Sequence, residues 1–366
     1  MIRAGGELLY SHVSRDAGDH APPAEILAAL EPGVAPIPEE VASSPVRAAL
    51  GRALSRVVDP LIVPSFDRNG FRIHRLAFRA EDLDVDLSGR RCLITGANSG
   101  IGFATAISLA DLGADVVLLC RDQQRGEEAV EQIRARTGSS RVSLEIVDVS
   151  DLDSVRDAAA RIDSGPVDVL VHNAGVLPEI RVLTRDDLEL TFATHVVGPF
   201  LLTKLLRSRL EKSDGARVVW VSSGGMYTRR LNLDDPGWSR REYDGVTAYA
   251  ETKRAQVVLS ELWAEALQGG PVVVNAMHPG WADTPAVRSS LPGFHRITSR
   301  ILRTPAEGAD TVVWLAAAAK AGEETGRFFF DREVRRTHYL PFTEESEEDR
   351  RALWDLCERL SAESAP

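Results

Sequence analysis

Between residues 89 and 343 the chain alternates short apolar runs, rich in β-branched residues, with longer stretches of helical periodicity. This alternation is typical of parallel strands joined by crossover helices. Most of the apolar runs have no polar face, as expected for strands that helices cover on both sides. The sequence therefore predicts an α/β fold with a doubly wound parallel sheet of about seven strands. The predicted strands are Arg91–Thr95, Asp115–Cys120, Val142–Val147, Val167–His172, Arg217–Val221, Val272–Met277 and Arg327–Phe330. Helices are expected near residues 100–112, 123–137, 151–163, 185–212, 246–268 and 305–319.

Two terminal segments differ in composition from this middle part. Residues 1–84 hold eight of the 19 prolines, so we expect an N-terminal extension of short helices and irregular chain, with its clearest helix over Val46–Val58. Residues 344–366 form an acidic C-terminal tail, in which Ser346–Leu360 is predicted to be an amphipathic helix. Residues 85–343 are then the α/β domain.

The net charge of −11 argues against nucleic acid as a partner, because binding to a phosphate backbone needs clustered positive charge. Most of the acidity belongs to the two terminal segments, so it says little about the substrate. Three widely spaced cysteines predict neither a disulfide framework nor a metal site, which favours a reducing, cytoplasmic location. The N-terminus lacks the apolar core of a signal peptide, and no apolar run is long enough to span a membrane.

The first predicted strand ends in a glycine-rich turn that leads directly into an apolar helix. Glycines in such a turn permit a tight bend, a close approach of the backbone to a pyrophosphate, and close packing of helix on strand. The helix N-terminus adds free N–H groups and the positive end of a dipole. This context favours a Rossmann-type dinucleotide site over a turn without a ligand. The predicted cofactor-binding residues here are Gly96, Asn98, Ser99, Gly100, Ile101 and Gly102.

The end of the second strand distinguishes the two nicotinamide cofactors. An acidic residue there binds the ribose 2′-hydroxyl of NAD, whereas a basic residue accommodates the 2′-phosphate of NADP. Arg121 comes first after the strand, so we predict NADP(H) rather than NAD(H). The alternative is that Arg121 is a solvated turn residue and that Asp122 reaches the ribose.

Three further strand ends carry polar or small residues that would line the same crevice. The residues after the third strand are expected to meet the adenine, and the small residues after the fourth strand would let the backbone pass close to a ribose. The loop after the sixth strand is expected to reach the carboxamide of the nicotinamide. Each of these segments alone would be an ordinary turn after a strand. Turns without a ligand do not explain why such residues occur at successive strand ends along one edge of the sheet. These candidates are Asp148, Val149, Asn173, Ala174, Gly175, Pro279, Gly280 and Thr284.

The catalytic signal is a tyrosine followed four residues later by a lysine, Tyr249 and Lys253. On a helix these two side chains share a face. A nearby cation lowers the pKa of a phenol, which can then exchange a proton with a carbonyl or alcohol oxygen. The pair Ser222-Ser223 ends the fifth strand, where a hydroxyl can polarise the reacting carbonyl. The alternatives are an ordinary surface pair on a helix and a serine that caps a turn.

These motifs, in this order over roughly residues 85–335, resemble those of the short-chain dehydrogenase/reductase (SDR) family. The resemblance implies a seven-stranded Rossmann-type fold, NADP(H) as cofactor and a Ser-Tyr-Lys mechanism. Carried over by position, Tyr249 is the acid/base, Lys253 tunes its pKa and contacts the ribose, and Ser223 orients the substrate oxygen. Tyr249 and Lys253 thus count among the cofactor-binding residues as well.

The chain departs from the family pattern at two places. His195 occupies a helix position at which the family usually has an asparagine that holds a relay water. An imidazole there either serves as a proton shuttle or weakens the relay. In addition, Ser223 and Tyr249 lie 26 residues apart, and the inserted stretch, with Trp238 and Tyr243, is expected to border the substrate entrance.

The sequence thus predicts an oxidoreductase that acts on a carbonyl or alcohol of a lipophilic small molecule, because the variable loops 176–184, 225–245 and 285–303 carry many apolar residues. The alternative is a cofactor-binding regulatory or scaffold protein in which His195 marks weakened catalysis. The resemblance makes a homo-oligomer possible, with helices 185–212 and 246–268 as the usual interface. Residues 61–78 are expected to pack on the core rather than to touch an anionic membrane.

Overall fold

A computed structural model of the chain describes residues 45–59, 62–162, 164–285, 288 and 292–362. Eight of its strands form one sheet in the order β3-β2-β1-β4-β5-β6-β7-β8. All neighbouring pairs are parallel except β7 and β8, which are antiparallel. The strands are β1 (Arg91–Thr95), β2 (Asp115–Cys120), β3 (Val142–Ile146), β4 (Val169–His172), β5 (Arg217–Val221), β6 (Val273–Met277), β7 (Arg327–Phe330) and β8 (Glu333–Val334).

Helices cover both faces of this sheet. They are α1 (Pro45–Val58), α2 (Ile62–Phe66), α3 (Arg68–His74), α4 (Gly100–Asp111), α5 (Gln123–Thr137), α6 (Leu152–Arg161), α7 (Leu190–Phe192), α8 (Gly198–Leu210), α9 (Gly245–Ala266), α10 (Pro292–Thr298), α11 (Pro305–Ala317) and α12 (Glu347–Ala362). No helix in the described part of the chain is long and apolar enough to cross a membrane.

The strand order confirms the predicted doubly wound fold. Strand β1 pairs with β2 on one side and with β4 on the other, so the winding reverses between β1 and β4. Ligands of such sheets bind in the crevice outside the carboxyl ends of the strands at this reversal. All seven predicted strands are present, with differences of at most two residues at their ends. The eighth, β8, has only two residues and carries no recognisable sequence pattern.

Two apolar clusters bury the sheet, one on each face. On one face the C-terminal helix α12 lies across α8 and α9. The ring of Trp354 packs 5.0 Å from Phe200 and 4.9 Å from Trp263, and Leu353 and Cys357 are fully buried. The predicted amphipathic C-terminal helix is confirmed, and it covers part of the two helices that were expected to form a subunit interface.

The N-terminal extension is helical where the structure describes it. Helix α1 confirms the helix predicted over Val46–Val58, while residues 1–44 lie outside the described residues. Phe66 and Phe71, the large apolar side chains that a membrane contact would need, are buried. For residues 64–78 this agrees with the predicted packing on the core, whereas Leu61 lies outside the described residues.

The helix predicted over 185–212 is wrong at its start and is not continuous. It begins only at Leu190, and Ala193–Val197 form one π-helical turn before α8. The interruption coincides with Gly198, where a Cβ would overlap the carbonyl oxygen of Val149. Pro199 next to it has no N–H to donate. The widened turn places His195 at its centre, and such turns are frequent at functional sites.

Candidate active site

The glycine-rich turn after β1 has a backbone that favours glycine. Gly96 and Gly100 have φ angles of +66° and +59°. Residues that carry a Cβ rarely adopt such positive φ angles. A Cβ on Gly102 would overlap Nδ2 of Asn173. That Nδ2 donates hydrogen bonds to the carbonyls of Thr95 (2.9 Å) and Gly96 (3.2 Å). Asn173 therefore holds the turn in shape, a contact that the sequence analysis did not foresee.

The first turn of α4 faces the crevice. Ser99 occupies the N-cap position of α4. Its side chain accepts no capping hydrogen bond from the N–H groups of this turn within the described residues. The orphan N–H groups of this turn suit an anion such as pyrophosphate. The methyl of Thr284 would lie 3.4 Å from a Cβ on Gly100, so the loop after β6 lies close to the glycine turn.

Several other predicted cofactor residues make contacts within the protein. Val149 is buried, and Ile101 packs against the apolar cluster beneath α4. The N–H of Ala174 donates to Oγ1 of Thr95 (3.0 Å), which ties the end of β4 to the end of β1. A Cβ on Gly175 would lie 3.1 Å from Nε2 of His195. Any larger residue at Gly175 would push on the imidazole.

Arg121 and Asp148 lie side by side at the ends of β2 and β3. The guanidinium of Arg121 is 66% exposed and lies 3.7 Å from the carboxylate of Asp148. Asp122 instead caps α5, where its side chain accepts a hydrogen bond from the N–H of Arg125 at 2.9 Å. The acidic alternative for the ribose contact is thus already engaged in a helix cap, whereas Arg121 is open to an anionic group.

Lys253 is buried beneath the end of β5. Its Nζ donates to the carbonyl of Val221 and to Oε1 of Gln256, each at 2.9 Å. Burial lowers the pKa of Lys253 to about 7. Gln256 was not among the predicted site residues. Its position three residues after Lys253 places it on the same helix face, which is the signal that could have revealed it.

Tyr249 and Ser223 come together from α9 and the end of β5. Burial raises the pKa of Tyr249, and a side-chain hydrogen bond with Ser223 opposes this shift. Nζ of Lys253 lies 5.4 Å from the centre of the Tyr249 ring. Burial of the phenol is a contribution that spacing along the sequence does not report, and the lowering of the Tyr249 pKa by Lys253 stays a prediction.

His195 is fully buried and lies edge-on to Tyr249, with ring centres 5.4 Å apart. Its Nε2 accepts a hydrogen bond from the N–H of Val176 (3.0 Å), so the ring proton is on Nδ1, which donates to Oγ1 of Thr252 (2.8 Å). Burial and the charge of Lys253 lower the pKa of His195 well below its ordinary value. The ring is therefore neutral and held in one tautomer. Thr252 is the second contributing residue that the sequence analysis missed.

Polar contacts fix the insertion between Ser223 and Tyr249. The guanidinium of Arg241 lies 3.5 Å from the centre of the Trp238 ring and forms an ion pair with Glu251 at 2.5 Å. The hydroxyl of Tyr243 donates to Glu189 (3.2 Å), the residue that caps α7. The insertion is thereby bound to α9, which carries Tyr249, and to the start of α7, just before the π-helical turn that carries His195.

Two of the predicted substrate loops meet at the start of α9. A Cβ on Gly245 would overlap the carbonyl of Pro178. Around this contact the loop 176–184 and the helix start expose apolar side chains, namely Ile180, Val182, Leu183 and Val246. The third loop, 285–303, lies partly outside the described residues.

Known proteins match this chain over most of its length. The family described as short chain dehydrogenase matches residues 90–293. Dehydrogenase/reductase SDR family member 12 from Bos taurus is 42% identical over 299 residues, which cover 81% of this chain and 94% of that protein. Retinol dehydrogenase 13 from Homo sapiens is 33% identical, with 76% of this chain and 87% of that protein covered. A short chain dehydrogenase from Escherichia coli CFT073, solved in complex with NADPH, is 26% identical with a TM-score of 0.55, covering 68% of this chain and 98% of that one.

Proposed function

Because the chain belongs to the short-chain dehydrogenase family, we propose that it is an NADP(H)-dependent oxidoreductase that interconverts a carbonyl and an alcohol on a lipophilic small molecule. The observation that carries this proposal is the meeting of Ser223, Tyr249 and Lys253 at the carboxyl end of β5. The glycine turn after β1, whose backbone conformation and close packing favour glycine, is where the dinucleotide would bind. When bound, the nicotinamide supplies or accepts the hydride.

The protein groups handle the proton and the oxygen. In the direction of reduction, the Tyr249 hydroxyl gives its proton to the substrate oxygen, while the Ser223 hydroxyl donates a hydrogen bond to that oxygen and polarises the carbonyl. In the direction of oxidation, Tyr249 accepts the alcohol proton. In both directions the ammonium of Lys253 stabilises the phenolate form of Tyr249, which exists before it takes the alcohol proton in oxidation and after it gives up its own proton in reduction. Since burial raises the pKa of Tyr249, the reaction needs such a cation on the same side of the ring.

Arg121 is the residue that we assign to the 2′-phosphate of NADP(H). Its guanidinium is largely exposed at the end of β2. The neighbouring carboxylate of Asp148 lies 3.7 Å away, which is longer than a hydrogen bond. A planar guanidinium binds phosphate oxygens with charge-assisted hydrogen bonds. The solved relative with bound NADPH is consistent with this preference.

A lipophilic substrate is supported by the apolar rim of the candidate site. Ile180 is 72% exposed on the loop 176–184, and Val246 is 57% exposed in the first turn of α9, where that loop meets the helix. The similarity to retinol dehydrogenase 13 points to the same substrate class.

The proposal is tested by fluorescence titration with NADPH and by turnover of a panel of lipophilic aldehydes and ketones. We expect Tyr249→Phe to lower kcat by about 100-fold or more while it leaves NADPH binding within about threefold, because only the proton transfer is lost. Tight NADPH binding without turnover of any panel member, in the wild type as in the variant, would favour the regulatory or scaffold role instead.

The cofactor assignment has its own test. Arg121→Ala should weaken NADPH binding by about 10-fold to 100-fold and leave NADH binding nearly unchanged, because only NADPH carries the 2′-phosphate. Arg207→Ala is the matched control, since Arg207 is a surface arginine that pairs with Glu211 on α8. Equal losses for both nucleotides would contradict the assignment.

A further inference from the structure

The strap, defined as residues 62–74, lies against the loop that follows β6. The carbonyl of Phe66 accepts a hydrogen bond from the N–H of Trp281 at 2.8 Å, and the N–H of Arg68 donates to the carbonyl of Ile301 at 2.8 Å. The strap is therefore joined by backbone hydrogen bonds to the loop 279–284, which also carries the predicted nicotinamide contacts, and to the segment that closes that loop.

The Phe66 ring fills the space between two loops of the candidate active site. A Cβ on Gly224, the residue after Ser223, would lie 2.6 Å from the Phe66 ring. On its other sides the ring packs 4.5 Å from His278 and 6.3 Å from Trp281, measured between ring centres. The ring thus touches the turn that holds the catalytic serine and the loop that follows β6.

Arg303 connects the same elements from beneath and is fully buried. Its Nε donates to the carbonyl of Phe66 (3.0 Å), and its Nη2 donates to that of Ser65 (2.9 Å). Both of its terminal nitrogens bind Asp331, at 2.6 and 2.9 Å, so its buried charge is paired.

The backbone of Arg303 binds the loop as well. Its N–H donates to the carbonyl of Trp281, and its carbonyl accepts from Asp283, each at 2.8 Å. Gly280 has a φ of +70°, and a Cβ there would lie 2.5 Å from Nε of Arg303. The loop is therefore fitted closely onto a guanidinium whose other partners are in the strap.

From these contacts we infer that the strap is part of the catalytic site: Phe66 and Arg303 are positioning residues that fix the distance between the Ser223–Gly224 turn and the loop 279–281. This inference rests on the proposed function, because those two elements are the ones that would hold the substrate oxygen and the nicotinamide end of the cofactor. A shift of about 1 Å in such groups costs up to about 100-fold in rate.

The test uses the full chain with Phe66→Ala and the milder Phe66→Leu. The matched control is Phe329→Leu, because Phe329 is also buried but packs on Trp314 on the other face of the sheet. We expect Phe66→Ala to lower kcat by about 10-fold to 100-fold, with Phe66→Leu between it and the wild type. The control should lose thermal stability but keep its kcat.

A binding measurement separates the strap from the proposed function. NADPH should bind Phe66→Ala about 5-fold to 10-fold more weakly, whereas 2′-phospho-ADP-ribose, which lacks the nicotinamide, should bind as it does to the wild type. If the wild type turned over no substrate, the proposed function would fail and this binding difference would still test the strap. Equal losses for both ligands, or no loss for either, would overturn the inference.

Discussion

His195 shows how the contacts of one residue limit its chemistry. Its two ring nitrogens join the loop after β4, through the N–H of Val176, to α9, through the hydroxyl of Thr252. A role as proton shuttle would require the ring to give up one of these hydrogen bonds during each turnover. Within the observed contacts, the imidazole connects the loop after β4 to the helix of Tyr249, and its shuttle role stays a prediction.

Gln256 offers the sharpest prediction for a single residue. Its Oε1 accepts a hydrogen bond from Lys253, whose pKa burial lowers to about 7. In Gln256→Glu a carboxylate would stand in the same place and favour the ammonium form, which shifts the pKa of Lys253 upward by about 1 to 3 units. The limb of the kcat–pH profile that reports the ionisation of Lys253 should therefore shift to higher pH.

Two further variants control this experiment. Gln256→Met keeps the length of the side chain but removes the hydrogen bond, so its limb should move to lower pH. Gln268→Glu adds the same charge at an exposed position just beyond α9 and should leave the profile unchanged. If the profiles of the two Gln256 variants coincided with that of the wild type, Gln256 would have no influence on Lys253.

The residues of this site differ in how far the sequence could reveal them. Tyr249, Lys253 and the glycine turn follow fixed spacings within one element, so their pattern is visible without a structure. Spacing reports a neighbouring charge but not the burial of the phenol, which raises the pKa of Tyr249. Thr252 and Gln256 lie on the predicted helix, but their role depends on partners contributed by other elements.

At the scale of elements, apolar periodicity predicted the strands of the sheet well and the long helix before β5 poorly. Most of the β-branched runs are buried on both faces, so local sequence and tertiary packing agree there. The π-helical turn at Ala193–Val197 depends instead on the close approach of Gly198 to Val149, which no local pattern encodes. The strap was equally hidden, because Phe66 and its partner Arg303 are 237 residues apart.

Helix α12 gives the prediction at this scale. Leu353 is fully buried where α12 crosses α8 and α9, so Leu353→Ala should lower the free energy of unfolding by about 2 to 5 kcal/mol. Leu205→Ala is the control, since Leu205 is 38% exposed on α8 and its loss should cost well under about 1 kcal/mol. Urea unfolding measures both changes. A cost for Leu353→Ala no larger than that for Leu205→Ala would show that α12 does not contribute to the folded core.

At the scale of the whole molecule, a network of charged side chains joins the N-terminal extension to the edge of the sheet formed by β7 and β8. His74 binds two carboxylates, Asp331 through Nδ1 at 2.5 Å and Asp59 through Nε2 at 2.9 Å. Arg303 pairs with Asp331, and Arg335 pairs with Asp59 at 2.7 Å. Each charge thus has an opposite partner, which is what makes burial of such groups tolerable.

This network gives the stability of the protein a defined dependence on pH. Burial alone would lower the pKa of His74, but Asp331 and Asp59 together raise it above its ordinary value of 6.5. Burial would raise the pKa of Asp331, but Arg303 and His74 lower it to about 2. The contribution of His74 is therefore fully present below pH 6.5 and is lost as the pH rises through the pKa of the folded state. That of Asp331 is present above its ordinary pKa of 3.8 and is lost as the pH falls towards 2.

We therefore expect His74→Gln to reduce the free energy of unfolding most at about pH 5, and progressively less as the pH rises towards about 9. His172 supplies a contrast of opposite sign, because burial lowers its pKa to about 3 and its ring is neutral in the folded protein. Keeping His172 neutral lowers the free energy of unfolding of the wild type only below pH 6.5, where the unfolded chain binds a proton. The stability of His172→Gln relative to the wild type should therefore rise on acidification, whereas that of His74→Gln should fall. Urea unfolding at several pH values measures both variants. A loss in His74→Gln that is constant across the range would mean that His74 is buried in its neutral form and that the charged network does not hold the strap in place.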